Sequence, residues 1–197
     1  MPSRDDSARC TLVVDIDGTL IPILLDFEKL RAEIRRLLGV DHPLRPLGES
    51  LAKLQAEDGL KRKAWDLVER AELDSIGRLK VEDVQENIEL VKHLASIGVK
   101  VVLVTMRSSA STVPLLSKLG LIDAVSYVIT RDEYLSRREQ LEWVLRSSQN
   151  VRPVFIGDTH YDEEAAKDLH IPFIKVADYK EFSLAVSRAL EECKAPV

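Results

Sequence analysis

Short apolar runs alternate with stretches of helical spacing along most of this chain. Leu12 to Val14 form a run rich in β-branched residues that stops abruptly at Asp15, Asp17 and Gly18. This predicts a buried strand that delivers Asp15 to its carboxyl end. Further runs at Val99 to Thr105, Val125 to Thr130, Val151 to Ile156 and Ile171 to Val176 are separated by segments of helical period. Such alternation predicts an α/β fold, a parallel sheet with helices on both faces. In open sheets of this kind ligands bind beyond the carboxyl ends of the strands, so the residues that follow each run are the first candidates for chemistry.

Residues 21–80 break the alternation, since they hold no convincing strand. Phe27, Leu30, Ile34, Leu37 and Leu38 recur at helical spacing, Leu47, Leu51 and Leu54 make a second stripe, and Leu60, Ala64, Leu67, Val68 and Ala71 a third. Gly39 to Pro46, Asp58-Gly59 and Ser75 to Gly77 are the predicted breaks. Helical period resumes with Val84, Ile88, Val91, Leu94 and Ala95 and ends at Gly98. The expected organisation is an α/β core of residues 1–20 and 81–197 with a small all-helical unit, residues 21–80, inserted in it.

Composition narrows the class. A chain of 197 residues, 45% hydrophobic and 31% charged, has the material for one sizeable core and an accessory unit. Its net charge of −5 disfavours general nucleic-acid binding, which needs a basic surplus. The run after the N-terminus is interrupted by Asp15 and Asp17, unlike a signal peptide or a membrane-spanning helix. Cys10 and Cys193, at opposite ends, show neither metal-ligand spacing nor a disulfide framework, and Cys193 continues the stripe Phe182, Ala185, Val186, Ala189, Leu190. A buried, reduced thiol and a cytoplasmic location are expected, with no membrane or nucleic-acid partner and homodimerisation left open.

Paired carboxylates at the end of a buried strand must be neutralised or bind a cation, and aspartate oxygens suit Mg²⁺. A strand-closing turn would also use Asp and Gly. The whole string Asp15-Ile16-Asp17-Gly18-Thr19-Leu20, however, resembles the first signature of the haloacid dehalogenase-like superfamily. The superfamily's other motifs have counterparts in order. Thr105 ends the next core strand, Arg137 or Arg138 stands in the basic region, and Gly157-Asp158 with Asp162 forms an acidic loop after an apolar run. Arg137 is favoured for the basic position because Leu141 falls one helical turn later. By itself a strand-ending Thr or a helix-opening Arg carries little, and Asp158 or Thr159 has an alternative use as a helix cap.

The resemblance implies a Rossmann-like sheet with a helical cap at residues 21–80, and a Mg²⁺-dependent phosphatase acting on a small phosphorylated metabolite. It implies Asp15 as nucleophile, Asp17 as acid/base, Thr105 as hydrogen-bond donor to phosphate and Arg137 as charge balance. Phosphate is expected against Gly18, Thr105, Met106, Arg107 and Arg138. The metal is expected on Asp15, Asp17, through its main-chain carbonyl, Asp158 and Asp162. Arg107 more commonly would be a surface loop charge, and His160 a solvated loop residue. Asp17 separates this chain from the dehalogenases of the superfamily, which lack the acid/base Asp. A phosphomutase sharing the aspartyl-phosphate, or a non-catalytic phosphate-binding regulatory protein, are the alternatives. A receiver domain would lack the Asp-x-Asp-Gly-Thr-Leu string and the insert, and no EF-hand or Walker-type loop occurs.

Overall fold

The computed structural model describes residues 10–148 and 151–194. Its sheet is parallel and five-stranded, in the order β3-β2-β1-β4-β5, from β1 (Cys10–Asp15), β2 (Lys100–Val104), β3 (Tyr127–Ile129), β4 (Arg152–Gly157) and β5 (Phe173–Lys175). The central strand is buried along its whole length, which is why it reads as a continuous apolar run and does not alternate with polar residues. Side-chain alternation along the strands serves two cores. Leu12, Val14, Leu103, Val154 and Ile156 belong to one apolar cluster. Val13, Val102, Val104 and Phe155 belong to the other. The first is closed by α4 (Gln85–Ser96), α5 (Ser109–Leu119) and α8 (Phe182–Lys194), and the second by α6 (Arg137–Ser147) and α7 (His160–Asp168).

Register brings the functional ends together. Asp15 lies opposite Val104 of β2, so Thr105 follows directly beside it. Val14 lies opposite Ile156 of β4, which sets Gly157 and Asp158 on its other flank.

Between β1 and β2 lie α1 (Phe27–Leu38), α2 (Leu47–Lys53) and α3 (Asp58–Arg78). Leu30, Ile34, Leu44, Leu47, Leu51, Ala64 and Val68 form an apolar cluster of their own there, distinct from the two sheet cores. The side chain of Asp26 accepts from the Lys29 N–H to start α1, and Gly39 in the left-handed conformation ends it. The break expected at Asp58-Gly59 lies just before it, at residues 54–57, and the one expected at Ser75 to Gly77 is not a break. Asp58 opens α3, and the helix continues through Gly77. A glycine costs a helix interior roughly 1 kcal/mol relative to alanine. Packing overrides it, because Ser75 on the preceding turn is fully buried and held by Arg107.

The cysteine expectation is also corrected. Cys10 and Cys193 are joined in a disulfide across a Cα separation of 5.6 Å, because α8 folds back beside the start of β1. Sequence separation hid a pairing that only the tertiary fold creates. Among the described residues, no helix is long and apolar enough to cross a membrane.

Candidate active site

Asp15 is 5% exposed at the tip of the central strand. The chain leaves β1 through a tight loop, in which Gly18 donates to the Ile21 carbonyl at 2.7 Å. Gly18 has φ +92, and a Cβ there would lie 2.2 Å from Oδ2 of Asp158. A side chain is therefore excluded both by backbone conformation and by the neighbouring carboxylate.

Arg137 organises the acids. A capping box of Ser136 and Glu139 starts α6 and fixes Arg137 in its first turn, aimed inward. Its Nη2 donates to Oδ1 of Asp15. Nε donates to Oδ1 of Asp162 at 2.6 Å and Nη1 to Oε1 of Gln140 at 2.7 Å. Gln140 in turn donates to the Thr105 carbonyl at 2.9 Å, tying the basic helix to the end of β2. Burial opposes the charge on Arg137, but Asp162 and Asp15 raise its pKa above the ordinary arginine value. Arg138 on the next position turns outward, paired with Glu142 at 3.0 Å and Asp168 at 3.2 Å. The expectation that it touches substrate is corrected, since successive helix residues point about 100° apart and only one can face the acids.

Burial raises the Asp15 carboxyl well above the ordinary range, opposed by Arg137 and reinforced by Asp162, Asp158 and Asp17. Burial and Asp162 push Asp158 up to about 6. Oxygens of Asp15, Asp158 and Asp162 lie within 4.8 Å of one another, an arrangement that could hold a metal ion. The donor set is all carboxylate, which fits a hard divalent cation, and the crowding of buried acids is what such an ion would relieve. Asp162 also caps α7, accepting from the Thr159 N–H at 3.1 Å and the Thr159 hydroxyl at 2.6 Å. The Asp17 carboxylate is not part of this cluster.

Asp17 is held instead by Arg107, whose Nε and Nη2 donate to its two oxygens, each at 2.7 Å. Arg107 is 2% exposed, which corrects its reading as a surface loop charge. Its guanidinium also reaches the insert, donating to the Glu72 carbonyl at 3.2 Å and to Ser75 Oγ at 3.0 Å. Thr105 Oγ1 accepts from the Arg107 N–H at 3.1 Å, which leaves the hydroxyl hydrogen for an oxygen in the cavity. Met106 projects toward the insert, where a Cβ on Gly48 would meet its Cε at 2.9 Å. His160 is exposed at the start of α7, its ring 3.8 Å from that of Tyr161.

A cavity of about 280 Å³ unites these groups, with Asp15, Asp17, Thr105, Met106, Arg107, Arg137, Asp158 and Asp162 in its walls and α1, α2 and α3 supplying the opposite side. Sequence reasoning missed Glu72, which is 2% exposed on α3. Its carboxylate accepts from the Ser108 N–H at 3.1 Å and Ser111 Oγ at 2.8 Å, and it pairs with Arg131. A signal existed, because Glu72 continues the buried stripe of Ala64 and Val68 at a spacing of four. Gln140, also missed, falls one turn after Arg137.

Residues 26–176 match the model of the haloacid dehalogenase-like hydrolase family, a stretch that begins after the Asp15-Asp17 string and contains the other site residues. A phosphoglycolate phosphatase of Nitrosococcus oceani is 26% identical, the alignment covering 79% of this chain and 78% of that protein. The fold is similar to that of a haloacid dehalogenase-like family hydrolase from Streptococcus pneumoniae, with TM-score 0.58, 16% identity and 89% and 90% of the two chains covered. It is similar too to a predicted phosphatase from Clostridium acetobutylicum, with TM-score 0.60, 17% identity and 93% and 97% covered. With the parallel sheet, the acids at its carboxyl edge and the family match over most of its length, the chain belongs to the haloacid dehalogenase-like hydrolases.

Proposed function

We propose that this hydrolase is a Mg²⁺-dependent phosphatase that cleaves small phosphomonoesters through an aspartyl-phosphate on Asp15. One observation carries the reading. The buried Asp15 carboxylate shares a cavity with Arg137, the Asp158 and Asp162 carboxylates and the Thr105 hydroxyl, and these are the groups needed to position a phosphoryl and neutralise its charge. The similarity to a phosphoglycolate phosphatase supports it.

In this mechanism a carboxylate oxygen of Asp15 attacks phosphorus, and the bond to the alcohol oxygen breaks. Asp17 gives a proton to that oxygen, then takes one from the water that attacks phosphorus and releases Asp15. To carry a proton Asp17 must give up one of its two bonds to Arg107, so Arg107 acts as the rest that holds Asp17 between steps. Thr105 donates to a phosphoryl oxygen, and Arg137 keeps Asp15 aligned while balancing charge. Asp15, Asp158, the Asp17 main-chain carbonyl and Asp162 would hold the cation, Asp162 directly or through water. When bound, Mg²⁺ supplies positive charge against the phosphoryl oxygens and the clustered acids. The helical insert serves as a cap that screens the cavity from water.

Phosphate release from a panel of phosphomonoesters, with Mg²⁺ or with chelator, tests the reading in the native chain and in Asp15→Asn. Metal-dependent release that drops at least about 1,000-fold in the variant is expected. Undiminished release would remove Asp15 as nucleophile, whereas phosphoryl transfer to a second sugar hydroxyl, without free phosphate, would make the enzyme a mutase.

A further inference from the structure

We infer that the cavity takes a phosphomonoester whose alcohol is a small, uncharged hydrocarbon or aromatic group, in place of a carboxylate-bearing or sugar alcohol. The inference rests on the phosphatase reading for where the phosphoryl sits, and it concerns the opposite wall.

That wall is built by the insert, and Ile23, Leu25, Phe27, Leu47, Trp65 and Val68 all face the cavity. The polar side chains that accompany them are already engaged. Arg31 donates to Glu28 at 2.7 Å and to the Leu44 carbonyl at 3.1 Å. Glu49 pairs with Lys53 at 3.5 Å, and Glu72 is consumed by Arg131, Ser108 and Ser111. Along the apolar stretch of this wall a sugar's hydroxyls would exchange water for hydrocarbon contacts, at a cost for each group left unpaired.

Charge gives the same answer. The cationic side chains lining the cavity are Arg31, Arg107 and Arg137, and each has a carboxylate partner among the described residues. A carboxylate on the alcohol would have to compete with these partners for a cation and would lie near Glu49, which lines the same wall. The volume of about 280 Å³ has room for the phosphoryl and a single ring beyond it. A partly buried Trp65 with two rotatable bonds offers that ring a rigid contact, and its own orientation is braced by the Arg131 guanidinium 5.2 Å from its centroid.

Two matched pairs test the inference. Calorimetric titration of the native protein in Mg²⁺ with 2-phenylethylphosphonate and with 3-phosphonopropionate compares the arms without any need for turnover. Hydrolysis of benzyl phosphate and 2-phosphoglycolate, both with a primary alcohol as leaving group, compares them in catalysis. Binding of the phenyl compound at least about ten-fold tighter is expected, with kcat/KM ordered the same way. Trp65→Ala lowers the phenyl-to-carboxylate binding ratio at least about five-fold, and Phe27→Ala reads the same wall if the first variant does not fold. Equal or tighter binding of 3-phosphonopropionate, or no binding of the phenyl compound, overturns the inference. Preferential turnover of 2-phosphoglycolate with dependence on Asp15 overturns it and leaves the phosphatase reading standing. The expected binding preference with no turnover of any ester would do the reverse.

Discussion

Arg137 meets Asp15 and Asp162 with different nitrogens of one planar group, a geometry that a lysine ammonium cannot reproduce. Arg137→Lys is expected to keep the protein folded while lowering kcat/KM by roughly 10- to 100-fold. Arg137→Ala leaves buried acids uncompensated, at a cost of about 3–5 kcal/mol, measurable by urea unfolding. Protonation of the same acids sets a pH dependence. The folded Asp158 carboxyl, at about 6, lies above its ordinary value of 3.8, so the native state holds its proton more tightly than the unfolded chain. That contribution to stability is complete below about 4 and is lost as pH rises through about 6, and Asp15 acts in the same direction. In metal-free protein, Tm is expected to fall more steeply over this window in the native chain than in Asp158→Asn. Added Mg²⁺ should offset the loss at the upper end, because a ligand of the native state stabilises it. The identities of Asp15, Asp158 and Asp162 were legible in their order along the chain. Their mutual distances, and hence their pKa values, were not.

Helix α3 shows how an element can be half legible. Ala64 and Val68 announced its buried face, but the same face continues with Glu72 and Ser75, residues that hydropathy assigns to solvent. The explanation lies in α5, whose N-cap Ser108 offers backbone and hydroxyl donors to the Glu72 carboxylate, while Arg131 supplies the opposite charge. This carboxylate reaches from the insert to the N-terminus of a core helix, where negative charge is favoured. Glu72→Ala would strand the buried Arg131 and is expected to cost about 3–5 kcal/mol. For a chain of this size that is a fall in Tm on the order of 10 °C. Scanning calorimetry checks it, and a change under about 2 °C would show that the Glu72 pair does not hold insert to core. Glu72→Gln, which keeps the shape and one acceptor, should lose less than half as much.

At the scale of the molecule, the disulfide between Cys10 and Cys193 joins the first described strand to the last helix, 183 residues apart. Closing so long a loop restricts the unfolded chain and is worth about 2–4 kcal/mol. Reduction, or Cys10→Ser with Cys193→Ser, is therefore expected to lower Tm by roughly 5–15 °C. Cys10 opens β1 and Asp15 ends it, with the strand rising about 3.3 Å per residue between them, so phosphatase turnover should be unaffected below the transition. Thiol titration of the denatured, unreduced protein gives the direct check, since two free thiols per chain would show that the crosslink does not form.

Local chemistry explains what the sequence by itself determined. Period and run length reveal a buried parallel strand or an amphipathic helix, because these are properties of neighbours along the chain, and the string Asp15 to Leu20 is legible by its resemblance to a family signature. The parallel sheet, the helical insert and the order of the acids were accordingly legible, whereas Arg137 was favoured over Arg138 but not separated from it until the helix was placed against the acids. Arg107 against Asp17, Glu72 against Arg131 and Ser108, the cysteine pair and the apolar wall across the cavity from Asp15 were decided only by tertiary structure. Each joins residues far apart in sequence, and whether a charge is buried and what it meets there depends on which elements pack together. Hydropathy, which treats each position alone, assigns those same charges to water.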